Sequence, residues 1–135
     1  MAVIDGYLGP SRRQPSGGSR ASVARWQIQK WTEARGWRVG RILEEASPKA
    51  SAAPRELREL AVERVESNET DGLVTTSLRE LGDSLTEVIC TIERIDAAGG
   101  AFASLHEGFD LTTANGRYTF RLLVLVLEWE QRGEG

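Results

Sequence analysis

Three groups of residues carry most of the chemical potential of this chain. Arg12, Arg13, Arg20 and Arg25 place four guanidiniums in one short stretch. Such charge can hold a phosphate, and it can equally well just solvate a loop and a helix end. His106, the one histidine, stands beside Glu107 and near Asp110, which gives the chain one candidate general base with carboxylates close in sequence. Cys90, the one cysteine, excludes an intrachain disulfide and reads as a small core or interface residue rather than a nucleophile. The run Gly6-Tyr7-Leu8-Gly9-Pro10-Ser11 has glycines in the manner of a phosphate loop but lacks the closing Gly-Lys-Ser/Thr. No Cys/His cluster with zinc-ligand spacing occurs, and neither a metal nor another cofactor is expected. Trp26, Trp31, Trp37 and Trp129 suit packing better than base stacking.

The elements that must position these residues follow from hydropathy and punctuation. Ala2 to Tyr7 reads as a strand that runs into a Gly/Ser-rich basic loop over residues 12–20. Ala21 to Arg35 reads as a helix stopped by Gly36, with Val23, Trp26 or Gln27, Lys30 or Trp31, and Ala34 on its inner face. A strand from Trp37 to Leu43 and a flexible Ala/Ser/Pro segment over 44–54 come next. The helix Arg55 to Ser67 turns Leu57, Leu60, Ala61 and Val65 inward. After Asp71-Gly72 comes a third strand, Leu73 to Thr76. Asp83 or Ser84 caps a helix that reaches Ala97 and buries Leu85, Val88, Ile89, Ile92 and Ile95. Ala101 to Leu105 is a fourth strand, the segment HEGFDLTTANG is a loop, and the last helix spans Ala114 to Glu130. Four alternations of strand and helix predict an α/β fold: a four-stranded, mostly parallel sheet in three layers.

The chain has 135 residues, enough for one domain, 1–135, with a real core. Hydrophobic residues make up 40% and charged residues 27%, so any disorder should be local. The net charge of −3 rules out a uniformly basic nucleic-acid coat. It also conceals an asymmetry: residues 1–41 hold eight basic and two acidic residues, and residues 42–135 hold nine and eighteen. Weak DNA contact through the basic first third is therefore conceivable. The longest apolar run, Leu122 to Leu127, is far too short to span a bilayer, for which ~20 residues are needed. With no signal-peptide pattern at the start, the expectation is a cytoplasmic, reduced protein without membrane attachment.

The last helix is apolar nearly all round. Tyr118, Leu122, Leu123, Val126 and Trp129 exceed what one core-facing stripe requires. Either another subunit covers them or a further segment does, and an association surface is the expectation.

The motifs then converge. VERVESNETDGLV, SLRELGDSLTEV and AAGGAFASLHEGFDLTTANGRYTFRLLVLVLEWE, with ARGW at 34–37, follow in order and spacing the catalytic domain of the resolvase/invertase family of serine recombinases. The chain resembles that family over nearly its whole length, and SLHEGFDLTTANGR is the most specific segment. The resemblance implies the three-layer resolvase fold and a transesterification in which a serine attacks a DNA phosphodiester. Cations and precise placement are needed there because negative charge builds on the non-bridging oxygens.

Carried over residue by residue, the resemblance implies a degenerate site. The family's opening Y-x-R-x-S aligns with Tyr7-Leu8-Gly9-Pro10-Ser11, so Ser11 takes the nucleophile position while Gly9 replaces an arginine. Arg12 and Arg13 follow directly, and with Arg117, which closes the most specific segment, they are the candidate phosphate contacts. The family's D-R-L-x-R aligns with Arg79-Glu80-Leu81-Gly82-Asp83: the aspartate has become Arg79, and two arginines have become Glu80 and Asp83. Ala24 stands where the first helix carries a glutamine, with Gln27 and Gln29 nearby. The middle segment offers only Lys49. Gln131 replaces the arginine of E-x-E-R near the end of the last helix. His106 falls at a position the family leaves variable. Losing a single such donor typically costs ~100- to 1000-fold in rate.

The reading is thus a stand-alone degenerate resolvase-like domain, or a fragment of a longer protein. It would act by homodimerisation or hetero-association through the last helix, without strand exchange. Two alternatives stay open: an active recombinase that cleaves DNA through a phosphoserine at Ser11, and a remodelled pocket that binds or converts a small cationic or neutral molecule. No helix-turn-helix or zinc-binding region follows the last helix, so sequence-specific DNA recognition is not expected.

Overall fold

The computed structural model describes residues 2–10, 19–46 and 55–133. Ser11, Arg12, Arg13 and Lys49 lie outside the described residues. The elements are β1 (Val3–Leu8), α1 (Ser19–Ala34), β2 (Arg38–Glu44), α2 (Glu56–Glu66), β3 (Gly72–Thr75), a 3-10 turn (Leu78–Leu81), α3 (Leu85–Ala97), β4 (Ala101–Ser104), β5 (Phe109–Asp110) and α4 (Ala114–Gly133). They build one sheet in the order β2-β1-β3-β4-β5, parallel except for β5.

Alternation along the strands creates the two cores. Ile4 and Leu8 of β1, Val74 of β3 and Ala103 of β4 face α1, where they meet Ile28. Tyr7, Leu73 and Phe102 point to the other side, into a larger cluster with Val62 and Val65 of α2, Ile89, Ile92 and Ile95 of α3, and Phe120 of α4. Helices on both faces explain why β1, β3 and β4 are buried nearly throughout. The edge strand β2 stays half exposed.

Local chemistry sets the element ends. Ser84 caps α3, its Oγ accepting from Glu87 N at 3.2 Å. α1 ends where Gly36 enters the left-handed region at φ +74, so that Trp37 N donates to Thr32 O. Glu45, just past β2, caps α2 from outside by accepting from Leu57 N and Arg58 N. In β1 the register slips between Ile4 and Gly6, so Gly40 and Arg41 both lie opposite Asp5. The fully buried Asp5 carboxylate accepts from Arg41 N at 2.9 Å and from Arg64 Nε of α2 at 2.6 Å. One side chain thereby joins the slip to the helix layer.

Five expectations need correction. The sheet has five strands, not four, because Phe109–Asp110 pairs antiparallel with β4 inside the segment read as a loop. Gly108, at φ +65, reverses the chain at once, and two residues are too few to display a strand's alternation. On α1, Ile28 and Thr32 are buried, whereas Val23 and Trp26 are exposed. A lone helix on that face touches the sheet along a narrow strip, and there the branched Ile28 packs deeper than the larger tryptophan. On α2, Val62 rather than Leu60 turns inward, and Leu85 at the start of α3 remains partly exposed. Cys90 is exposed, so it is not a core residue.

Candidate active site

Open parallel sheets present ligand crevices beyond the carboxyl ends of their strands, at the point where strand order reverses. Here the chain passes from β1 outward to β2 and then returns to β3 on the other side of β1. A cleft of about 750 Å³ opens past the ends of β3 and β4, lined by Ala24 and Gln27 of α1, Thr76, Arg79, Glu80 and His106, among others. Of the described residues that the family resemblance singles out, Gly9, Ala24, Arg79, Glu80 and Asp83 gather at this end of the sheet.

Gly9 and Glu80 form the tightest contact there. Gly9 N donates to Glu80 Oε2 at 2.7 Å. A Cβ on residue 9 would fall 2.5 Å from Glu80 O and 2.8 Å from Glu80 Oε2. The turn after β1 therefore lies directly on the backbone that follows β3, and no side chain fits between them. Asp83 makes a two-pronged contact with Arg55, Nη1 to Oδ2 at 3.1 Å and Nη2 to Oδ1 at 3.3 Å. Arg55 Nε also donates to Glu80 O at 3.4 Å. Its neighbour Arg58 donates to Leu81 O at 2.6 Å and to Glu87 Oε2 at 3.1 Å. Glu80 and Asp83, which the resemblance sets at arginine positions, are thus bound into the protein's own hydrogen bonding.

A second carboxylate braces the same end. Glu107 accepts from Ser104 Oγ, Ser77 Oγ and Leu78 N, tying the end of β4 to the segment after β3. Partial burial works against its charge, but these hydrogen bonds outweigh burial and hold Glu107 below the ordinary carboxylate range. Asp110 accepts from Thr112 N and Oγ1 and pairs with Arg35, whose guanidinium lies over Trp31. Both carboxylates close to His106 in sequence are therefore committed to other partners, and among the described residues no general-base arrangement forms around it. Arg79 lines the cleft, and its guanidinium has no ion pair among the described residues.

Tyr7 lies behind this surface. Its hydroxyl donates to Glu45 Oε2 at 2.9 Å. Burial first, then the Glu45 hydrogen bond, pushes the phenol well above its ordinary pKa, so it remains protonated. Together with the capping bonds of Glu45, this links β1 to the start of α2.

Other candidates lie apart. Arg117, at the start of α4, pairs with Asp96 Oδ1 at 3.2 Å. Asp96 precedes β4, whereas the cleft lies beyond its far end, so Arg117 does not join Gly9 and Glu80. Gln131 is exposed near the end of α4. On that helix Tyr118, Leu122, Val126 and Trp129 are exposed, Trp129 at 77%, while Leu123 packs inward beside Val124 and Leu127. Leu125, also exposed and part of the apolar run read from the sequence, completes the outer face. Of the first-third cations, Arg25 pairs with Glu44 and Arg35 with Asp110. Among the described residues no helix is long and apolar enough to cross a membrane, and no group of three His, Cys, Asp or Glu side chains could hold a metal.

Sequence reasoning missed Arg55 and Arg58, whose side-chain partners at this end are 23 to 29 positions away, and the bracing by Ser104 and Glu107. The latter did leave a signal, since both residues belong to the most specific motif, SLHEGFDLTTANGR.

Comparison with known proteins agrees with the geometry. Residues 13–133 match the family model described as "Resolvase, N terminal domain". The N-terminal catalytic domain of TP901-1 integrase superposes with a TM-score of 0.82 at 20% identity, covering 98% of this chain and 99% of that one. A resolvase family site-specific recombinase from Streptococcus pneumoniae gives a TM-score of 0.83 at 13% identity, covering 98% and 90%. The C-terminal catalytic domain of ISC1926 TnpA, an IS607-like serine recombinase, gives 0.62 at 13% identity, covering 98% and 84%. No curated protein matches the chain in sequence.

Proposed function

From the premise that this chain belongs to the family of resolvase N-terminal domains, we propose that it works by association through the outer face of α4, with itself or with a protein partner, and not by DNA strand exchange. The observation that carries this reading is the closure of Gly9 on Glu80. An arginine at position 9 would have to displace backbone that a Cβ alone would approach to 2.5 Å. A phosphate there would also meet two carboxylates where attraction is needed, because the transition state of phosphoryl transfer is stabilised by cations and destabilised by anions. The exposed apolar side chains of α4 support the positive half of the proposal, since surface of that kind gains free energy when a partner covers it.

The rival reading, DNA cleavage by Ser11, makes a covalent product. Wild-type protein and Ser11→Ala are incubated with supercoiled and nicked DNA and resolved on a denaturing gel. The proposal expects no covalent protein–DNA species from either. A species formed by wild type and absent from Ser11→Ala would overturn it. Duplex DNA binding at low salt is expected to be weak, in keeping with the excess of acids after residue 41.

A further inference from the structure

The acids and the donors of the cleft beyond β3 and β4 are in different states. Glu80 and Glu107 line it, and both accept from protein donors. A cationic guest would have to compete with those bonds. Arg79, by contrast, uses its backbone N–H on Ser77 Oγ, while its guanidinium has no partner among the described residues. The Thr76 hydroxyl and the Gln27 amide line the same cleft, and neither makes a hydrogen bond to a described residue. The uncommitted polar groups are therefore donors, which suits an oxygen-rich guest.

An apolar surface adjoins them. Val23 and Ala24 of α1 line the cleft, and Val23 is exposed. Trp26, one helical turn on, is 60% exposed and carries that surface beyond the lining residues. Large apolar side chains left in water beside a cleft gain free energy when a ligand covers them. The volume of about 750 Å³ falls in the ordinary range of small-ligand sites.

We propose that this cleft takes a small monocarboxylate with an aromatic or branched apolar body. The carboxylate meets the Arg79 fork, Thr76 Oγ1 and Gln27 Nε2 donate to it, and the body lies along Val23, Ala24 and Trp26. A planar carboxylate accepts two parallel N–H bonds from one guanidinium. Its single charge also suits the neighbours. Glu107 is held in its charged form, and repulsion from the Glu80 and Glu107 carboxylates grows with the charge of the guest. A phosphomonoester carries about two charges near neutral pH, and a nucleic acid brings one at every nucleotide. Either meets more repulsion for the same single fork. The site does not involve α4, so the inference stands apart from the association reading.

The test is an amide NMR titration of the isotope-labelled protein at constant pH and ionic strength. The probes are phenylacetate, its neutral counterpart phenylacetamide, and inorganic phosphate. Phenylacetate should shift the amides of Ala24, Thr76 and Arg79 saturably, with a Kd on the order of 1 mM, because the ligand is small and the ion pair is open to water. Phenylacetamide and phosphate should each bind about tenfold more weakly. Arg79→Gln should lose about tenfold in affinity for phenylacetate, and Arg79→Lys should recover only part of it, since an ammonium keeps the charge without the fork. Trp26→Ala should weaken phenylacetate about threefold. Both positions are exposed, so each variant should keep the wild-type thermal midpoint. Phosphate binding as tightly as phenylacetate at the same amides would overturn the proposal in favour of a general anion site. Phenylacetate binding that Arg79→Gln leaves intact would overturn it too, as would the lack of any saturable shift at roughly tens of millimolar. None of these outcomes bears on association through α4, which sedimentation reads separately.

Discussion

The carboxyl ends of β1, β3 and β4 and the outer face of α4 are handled in opposite ways. At the strand ends, Glu80 accepts from Gly9 N, Asp83 holds Arg55, and Glu107 gathers Ser77, Ser104 and Leu78 N. These polar groups face one another, while Arg79 lines the cleft with no ion pair among the described residues. On α4, five large apolar side chains stay uncovered while the inner face packs normally. Internal satisfaction removes the reason for a polar surface to bind anything, because a ligand would have to outcompete contacts already made. An uncovered apolar stripe has the reverse property, since only a partner can remove it from water. Under the proposed reading, the contrast puts function on the helix and architecture in the cleft.

Substitutions can break or sharpen that contrast. The largest effect is expected where α4 meets the core. Phe120→Ala removes a buried ring that packs edge-on against Phe109 and should cost about 3–5 kcal/mol in denaturant unfolding. Were it to cost as little as an exposed position, the division of α4 into two faces would fail. Next comes Gly9→Ala. Its methyl would press on the Glu80 carbonyl, so the turn must shift at a cost of roughly 1–3 kcal/mol by the same measurement. Unchanged stability would mean that the closure at this end is loose enough to admit other side chains. Asp83→Asn should lower stability by less than about 1 kcal/mol, because Asp83 is 64% exposed and its pair with Arg55 is screened by water. A larger loss would make the acid a structural pillar of the cleft.

The smallest effect is a pH dependence. Glu107 is held below its ordinary pKa in the folded state, so its bonds contribute fully above the unfolded-state value, near 4.3. That contribution is lost as pH falls through the lower, folded value. Glu107→Gln should therefore narrow the difference in thermal midpoint between pH 7 and strongly acidic solution. An unchanged difference would assign the acid sensitivity to other carboxylates.

Much of this fold was legible because periodicity and caps agreed. In α3, Val88, Ile89, Ile92 and Ile95 recur at helical spacing behind Ser84, and each is buried as the pattern implies. β5 escaped because two residues have no period. The inner face of α1 was misread because hydropathy weights tryptophan heavily, while the strip that touches the sheet is narrow and is filled by Ile28 and Thr32. At the candidate site, the replacement of expected arginines by Gly9, Glu80 and Asp83 was visible by resemblance. Their mutual engagement was not. Gly9 and Glu80 are 71 positions apart, and a carboxylate that accepts a backbone N–H looks, in sequence, like any exposed acid.

The central claim, that this domain works by associating through α4, is tested most directly by sedimentation of the wild type beside Leu122→Glu/Trp129→Glu over a wide concentration range. The account predicts a concentration-dependent dimer for the wild type and a folded monomer for the variant, with thermal midpoints that agree at concentrations where both are monomeric. Dimerisation of the variant as strong as that of the wild type would contradict it.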